Sequence, residues 1–185
     1  SDKLEALLAR LGRYRAGGGD RESMERIDAG SFITRIAERF QPQHPVQIAE
    51  RQSCELLVDS EGFDQALVHL VQNAIDASDA DQPVLLLAAC DELFCRIEII
   101  DSGKGMSPEF IRTRLFKPFQ SSKSGGFGIG AFEARELLRA MGGQLSVESR
   151  EGVGTRFIIR LPLADTARLV ESSRMDHTPV NTEVA

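Results

Sequence analysis

The chain has 185 residues, 22 Lys plus Arg against 28 Asp plus Glu, and a formal net charge of −6. That length corresponds to about one domain with room for an appendage. A 42% hydrophobic content supports an ordinary core and excludes wholesale disorder. A pI near 5.2 speaks against a nucleic-acid partner, because that role needs a basic surface to release phosphate counterions. The longest apolar run, Val84 to Cys90, is far short of the roughly 18 residues of a membrane span. No charged-then-apolar leader is present, and the start Ser1-Asp2-Lys3, without an initiator Met, suggests a piece cut from something larger. Cys54, Cys90 and Cys95 are too few and too unevenly spaced for a disulfide framework or a zinc site. Their odd number fits a reducing compartment, and they are expected as small core hydrophobes.

In chain order, Leu4, Leu7, Leu8, Leu11 and Tyr14 form a single apolar helical stripe, broken by Ala16-Gly17-Gly18-Gly19-Asp20. From Ile27 the pattern becomes α/β. Phe32, Ile33, Ile36, Ala37 and Phe40 predict a helix ended by Gln41-Pro42. Short strands are predicted at Val46–Ala49 and Glu55–Val58. Phe63, Ala66, Leu67, Leu70, Val71, Ala74 and Ile75 then mark a strongly amphipathic helix. Val84–Ala89 and Phe94–Ile100 read as a hairpin around Asp91-Glu92. A glycine-rich stretch between Gly103 and Gly130 leads into a helix from about Gly130 to Met141, and strands Gln144–Ser149 and Thr155–Leu161 close the pattern at Pro162. The tail from Ala164 to Ala185 has few large apolar residues and is expected to be mobile, with at most a short helix. The order predicts one mixed sheet with helices on one face.

Three segments carry chemistry, and each alone has little specificity. Asp101-Ser102-Gly103-Lys104-Gly105-Met106 follows an apolar strand. Gly126-Phe127-Gly128-Ile129-Gly130 precedes a helix. On the amphipathic helix, His69, Asn73 and Asp76 are spaced by four and three and so share a face. Such a stripe can simply face water; the order of the three segments, ending in Gly152-Val153-Gly154-Thr155, is what makes them informative together.

That ordered set resembles the ATP-binding catalytic domain of sensor histidine kinases, over about Ile27 to Leu163. The wider superfamily shares the Bergerat nucleotide fold with gyrase, Hsp90 and MutL proteins. Gln72-Asn73-Ala74 looks like its N box and Asp101 to Gly105 like its first glycine box. Phe116-Lys117-Pro118-Phe119 looks like its F box, and Gly126 to Gly130 like its second glycine box. The resemblance implies a two-layer α/β sandwich with a mixed sheet, helices on one face and an ATP lid. It also implies three regions: residues 1–19 as the end of a second dimerisation helix with its linker, 27–163 as the ATP-binding domain, and 164–185 as a mobile tail. More narrowly, His69 to Ser78, Met106 to Phe110, Arg114 to Ser122 and Gly128 to Glu133 resemble the kinases of exosortase (PEP-CTERM) systems.

Residue chemistry suits the implied task. Asp101 can accept the adenine N6 proton, Thr155 could hold a bridging water, and Gly103 and Gly105 leave room for the ring. Met106, Phe116 and Phe119 are expected to line the same pocket. Gly126, Gly128, Ile129 and Gly130 would turn backbone N–H groups and a helix N-terminus toward the triphosphate. By resemblance, Asn73 supplies a side-chain oxygen to Mg²⁺, which keeps several waters. Lys123, beside Ser121 and Ser122, would sit in the lid and could reach the γ-phosphate, or simply be a solvated lysine.

Two residues depart from the family pattern. The gyrase and MutL relatives carry a water-activating Glu where this chain has His69. Its loss favours transfer over hydrolysis, and His69 is expected to orient the acceptor or the phosphates. Asp76 stands where many histidine kinases have a phosphate-facing base, so it is expected to orient water or a backbone group near adenine. None of His44, His69 and His177 has the acidic neighbour and helical pattern of a phosphoacceptor.

The reading is therefore an ATP-binding kinase domain whose acceptor histidine lies upstream, with the dimerisation domain and a response regulator as partners. The parent is expected to be a homodimer, with this part cytoplasmic and an inner-membrane anchor elsewhere. A serine kinase of the anti-sigma type and a non-catalytic nucleotide-binding module are the alternatives.

Overall fold

The computed structural model describes residues 5, 6, 8, 9, 12, 24–118 and 130–175. Of the N-terminal stripe, Leu8 is helical and exposed; Leu4, Leu7, Leu11 and Tyr14 lie outside the described residues.

The elements that follow are β1 (Met24–Asp28), α1 (Ala29–Phe40), β2 (Val46–Arg51), β3 (Glu55–Asp59) and α2 (Ser60–Ala77). Then come β4 (Val84–Cys90), β5 (Phe94–Asp101), the single turn α3 (Pro108–Phe110) and a π-helical turn at Ile111–Leu115. The last are α4 (Gly130–Ala140), β6 (Gln144–Arg150), β7 (Gly154–Pro162) and α5 (Ala164–Met175).

Five strands form a mixed sheet in the order β2-β4-β5-β7-β6, in which β2 and β4 are parallel and the other pairs antiparallel. The expectation of a single sheet needs correction. β3 leaves the main sheet and pairs with β1, a strand the hydrophobic pattern did not predict, in a separate two-stranded antiparallel sheet. Only Met24 and Ile27 are apolar in β1, so its partner rather than its own pattern makes it a strand.

The core lies between the helices and one face of the main sheet. From α1 it takes Phe32, Ile33, Ile36, Ala37 and Phe40, and from α2 Phe63, Ala66, Leu67, Leu70, Val71, Ala74 and Ile75. Leu137 and Leu138 of α4 close it against Ile97, Ile99 and Ile159 of the sheet. Each fully buried Leu or Ile contributes roughly 1.5–3 kcal/mol over an exposed one. Cys54 and Cys95 are buried as expected of small hydrophobes, whereas Cys90 is half-buried. Burial pushes the Cys95 thiol up to about 11 and raises that of Cys54 as well, so neither is a thiolate at neutral pH. The opposite sheet face is mixed, with Leu85, Leu87, Ile100 and Ile158 beside charged residues. There the carboxylate of Glu98 is buried beneath Arg96 and Arg156, whose Nε atoms lie 3.1 and 2.8 Å from it.

The C-terminal segment also differs from expectation. Ala164–Met175 is a twelve-residue helix whose first residue is buried and whose Asp165 lies 3.4 Å from Arg26 of β1. Residues 176–185 lie outside the described residues.

Asp28 joins three elements. Its carboxylate caps α1 by accepting from the Ser31 N–H at 2.8 Å, and accepts from Ser53 Oγ and the Cys54 N–H at 2.9 Å each. Burial alone would raise its pKa; these hydrogen bonds outweigh that and hold it below the ordinary carboxylate value. Asp28→Ala should therefore cost about 1–2 kcal/mol at neutral pH. Because the folded pKa is depressed, the wild-type advantage is present above the unfolded value of about 3.9 and lost as pH falls through the folded one. Urea denaturation of both proteins at neutral and acid pH measures this; equal stability at neutral pH would remove the cap from the account.

Candidate functional site

The register of the sheet lines up a polar row at one end. Asp101, the last residue of β5, stands opposite Thr155 of β7, and Thr155 opposite Ser149 of β6. Asp101 and Thr155 are both buried, and Asp101 Oδ1 accepts from the Gly103 N–H at 2.9 Å. Ser149, absent from the sequence expectations, is the hub of the row. Its hydroxyl lies 2.8 Å from Thr155 Oγ1, donates to the Gly154 carbonyl at 3.0 Å and accepts from the Met106 N–H at 2.8 Å. The fragment Ser-Arg-Glu-Gly-Val-Gly-Thr does not announce this, because only strand pairing sets Ser149 beside Thr155.

The loop after β5 is pressed onto its neighbours. A Cβ on Gly103 would fall 2.1 Å from the Ala77 carbonyl oxygen at the end of α2, and that carbonyl accepts from the Lys104 N–H at 3.2 Å. Gly105 has φ +66°, and its Cβ would fall 2.0 Å from the Arg150 carbonyl oxygen. Gly154, at φ +139°, would place a Cβ 2.1 Å from the Asp101 carbonyl oxygen. The sequence reading assigned Gly103 and Gly105 to making room for adenine. In the structure their missing Cβ atoms make room for the protein's own backbone beside Asp101.

α2 and α4 pack side by side and bring a second group together. Gly130 opens α4 directly over α2: a Cβ there would lie 3.5 Å from His69 Nδ1 and 3.8 Å from both amide atoms of Asn73. One turn on, Glu133 is buried, with Oε2 2.7 Å from His69 Nε2 and Oε1 accepting from Gln65 Nε2. The His69 approach is bent, so attraction between the carboxylate and the ring N–H, more than a straight hydrogen bond, holds that pair. Glu133 and Gln65 were not among the residues singled out from sequence. A Glu one turn into a helix reads as a first-turn acid near the dipole, and nothing local says that it points inward.

Asp76, on the same helix, is exposed and accepts from Gln72 Nε2 at 2.7 Å. Met106 and Phe116 are partly buried against the core. The Arg135 guanidinium of α4 stacks 4.6 Å from the Phe116 ring and donates to its carbonyl at 3.4 Å, fixing the end of the π-helical turn. Phe119, Lys123, Gly126, Gly128 and Ile129 lie outside the described residues. His44 is buried with Nε2 2.7 Å from the Gln82 carbonyl oxygen, a packing role.

Two polar groups thus stand along α2, one against its C-terminal end at Ala77 and one beside His69 and Asn73. One is an acceptor row at the ends of β5 to β7, suited to a flat ring with an exocyclic donor. The other is an Asn–His–Gly cluster at the head of a helix, suited to anionic oxygen and a hard cation. Among the described residues no group of three or more His, Cys, Asp or Glu side chains is placed to hold a metal ion. The Asn73 amide oxygen is the group of this cluster with the chemistry to hold a hard cation.

Residues 58–165 match the family described as histidine kinase-, DNA gyrase B-, and HSP90-like ATPase. The chain is 36% identical over 118 residues to the sensor protein TorS of Escherichia coli (strain K12), which covers 63% of this chain and 13% of TorS. The mycobacterial sensor histidine kinase MprB superposes with a TM-score of 0.68 at 24% identity, covering 76% of this chain and 97% of that one. Full-length ShkA, solved in complex with AMPPNP, gives a TM-score of 0.68 at 24% identity over 88% of this chain and 36% of that one. At that identity the two structures establish the shared fold. The chain spans a small part of the length of the curated sensor proteins it matches. It belongs to the histidine kinase-, DNA gyrase B- and HSP90-like ATPase family, and the curated relatives named or matched here are sensor proteins and sensor histidine kinases.

Proposed function

We propose that this domain binds Mg-ATP and transfers the γ-phosphoryl group to a histidine on a dimerisation domain of the same parent, for relay to a response-regulator aspartate. In that reaction the bond from the γ-phosphorus to the β–γ bridging oxygen breaks, ADP leaves, and a P–N bond forms to a neutral imidazole nitrogen. The observation that carries the reading is the convergence of His69, Asn73 and Gly130 at the head of α4, on the same helix whose end, at Ala77, receives the loop that begins at the buried Asp101. That the relatives are sensor kinases, one of them a ShkA structure holding an ATP analogue, favours a histidine acceptor over a serine one and catalysis over mere nucleotide binding.

In this reading Asp101 accepts the adenine N6 proton, while Thr155, held by Ser149, supports a water beside it. Met106 and Phe116 flank the ring. Asn73 offers its amide oxygen to Mg²⁺, a hard cation that prefers oxygen and keeps much of its water. When bound, the metal neutralises charge on the phosphate oxygens. The chain's own work is positioning: donors and acceptors held before the reaction need no reorganisation during it. Phe119, Lys123, Gly126, Gly128 and Ile129, all outside the described residues, are assigned to the nucleotide by the sequence resemblance alone. Asp76 keeps a subsidiary part near adenine through water.

The same reading gives a cytoplasmic domain in a homodimeric parent with an inner-membrane anchor, residues 1–19 ending its second dimerisation helix. The described residues contain no helix long and apolar enough to cross a membrane. The narrower assignment to exosortase-system kinases rests on the sequence stretches His69 to Ser78, Met106 to Phe110, Arg114 to Ser122 and Gly128 to Glu133 alone.

A hydrogen bond to a charged acceptor is worth about 1.5–3 kcal/mol. Asp101→Asn should therefore weaken ATP binding about 10- to 150-fold, by calorimetric titration; unchanged affinity would sink the adenine assignment. Asn73→Ala should leave metal-free nucleotide affinity within about threefold, yet cut Mg²⁺-dependent transfer by about a hundredfold or more. Transfer itself is read with γ-labelled Mg-ATP, first on this chain alone and then with the parent's dimerisation hairpin added. Acid-labile, alkali-stable label on the hairpin alone is the expected result. Released phosphate without label would make the domain an ATPase, and untouched ATP a nucleotide sensor.

A further inference from the structure

Glu133 is a carboxylate placed where a carboxylate is expensive. Its side chain is 11% exposed, and burying such a group without partners costs several kcal/mol. Both oxygens are engaged: Oε1 by the Gln65 amide and Oε2 by His69 Nε2 at 2.7 Å. Gln65, His69 and Asn73 succeed one another every fourth residue on α2, so a single row of that helix carries brace, imidazole and amide in that order.

Neutral imidazole carries one proton, and the partner of one nitrogen decides which nitrogen holds it. An ionised carboxylate can only accept. Against the Glu133 carboxylate 2.7 Å away, though along a bent approach, a proton on Nε2 is attracted and a lone pair there is repelled. The neutral ring is therefore expected to carry its proton on Nε2 and to leave Nδ1 its lone pair. Nδ1 is also the atom turned toward the start of α4, 3.5 Å from where a Gly130 Cβ would stand and on the same side as the Asn73 amide.

We propose that Glu133, braced by Gln65, is a positioning residue that holds His69 in the Nε2–H form and makes Nδ1 a hydrogen-bond acceptor beside Asn73. A lone pair at that place repels phosphate oxygen and attracts O–H. The ligand it fits is a water, of the kind a magnesium ion retains in its shell. His69 then orients water next to the metal ligand and does not itself grip the phosphate. This assignment rests on the proposed function for its water and metal, and on the geometry alone for the tautomer.

The tautomer is read directly, with no nucleotide present, from the ¹⁵N shifts and long-range couplings of the His69 ring in the full chain. The solution is kept at about pH 8, above the ordinary imidazole pKa near 6.5, and His69→Gln assigns the signal. The expected pattern is one protonated Nε2 and one bare Nδ1. An Nδ1–H ring, an even mixture or a doubly protonated ring would each overturn the proposal. Glu133→Gln, whose amide can donate to Nε2, should shift the ring toward the Nδ1–H form. With the dimerisation hairpin supplied, it should also lower kcat for transfer about tenfold, as loss of an orienting partner does, while KM for ATP changes less than about threefold. Unchanged kcat in a variant that remains folded, beside an active wild type, would refute the positioning role. Failure of the wild type to bind ATP would instead refute the proposed function, and the nucleotide-free spectrum would still decide the tautomer.

Discussion

The carbonyl oxygen of Ala77, at the end of α2, lies 2.1 Å from where a Cβ of residue 103 would stand. The rest of the site depends on that approach. With glycine there, the loop after β5 lies on the helix end, and its next N–H answers a carbonyl that the helix itself cannot satisfy. The loop then meets the turn between β6 and β7, where Gly105 and Gly154 allow equally close backbone contacts. Asp101 is fixed at the meeting point with its carboxylate already bonded to the loop it starts. Any side chain at residue 103 would lift the loop from the helix and shift Asp101 relative to α2.

The second dependence runs through α2. One face carries the apolar residues from Phe63 to Ile75 into the core. The flank carries Gln65, His69 and Asn73 toward α4. A helix buried on one face is held rigidly, and polar groups on its flank inherit that rigidity without needing many hydrogen bonds of their own. The buried charge of Glu133 works in the same direction. It makes any arrangement that separates it from His69 and Gln65 unfavourable, so the imidazole at the head of α4 has a preferred orientation before any ligand arrives.

Much of this could be read in the residue pattern. The helices α1, α2 and α4 and the two long hairpins follow from apolar spacing, with ends within a few residues of prediction. Asp101, Gly103, Gly105, Asn73 and Thr155 could be singled out from their order around an apolar framework, and the structure sets Asp101 opposite Thr155 and Gly130 close to Asn73. β1 was not, since Met24–Asp28 alternates weakly and becomes a strand only by pairing with β3. The length of the helix Ala164–Met175 was underestimated for a related reason: its composition is polar, and docking of its first turn on β1 and the core supplies what periodicity lacks. Ser149, Glu133 and Arg135 were invisible because a serine in a strand, a first-turn acid and a helical arginine each have an ordinary surface explanation.

By itself, then, the sequence determined the helices α1, α2 and α4, the two long hairpins, the apolar faces that must meet and the residue types whose order resembles a nucleotide-binding family. Those properties are local, set by residue type and spacing along the chain. Only the tertiary structure decided that β3 leaves the main sheet, that Gly103 and Gly105 serve backbone approach, that Ser149 ties Thr155 to Met106, and that Glu133 stands against His69. Each of these joins residues far apart in the chain through contacts of a few ångströms. Such distances are fixed by strand register and helix packing, which no single segment encodes.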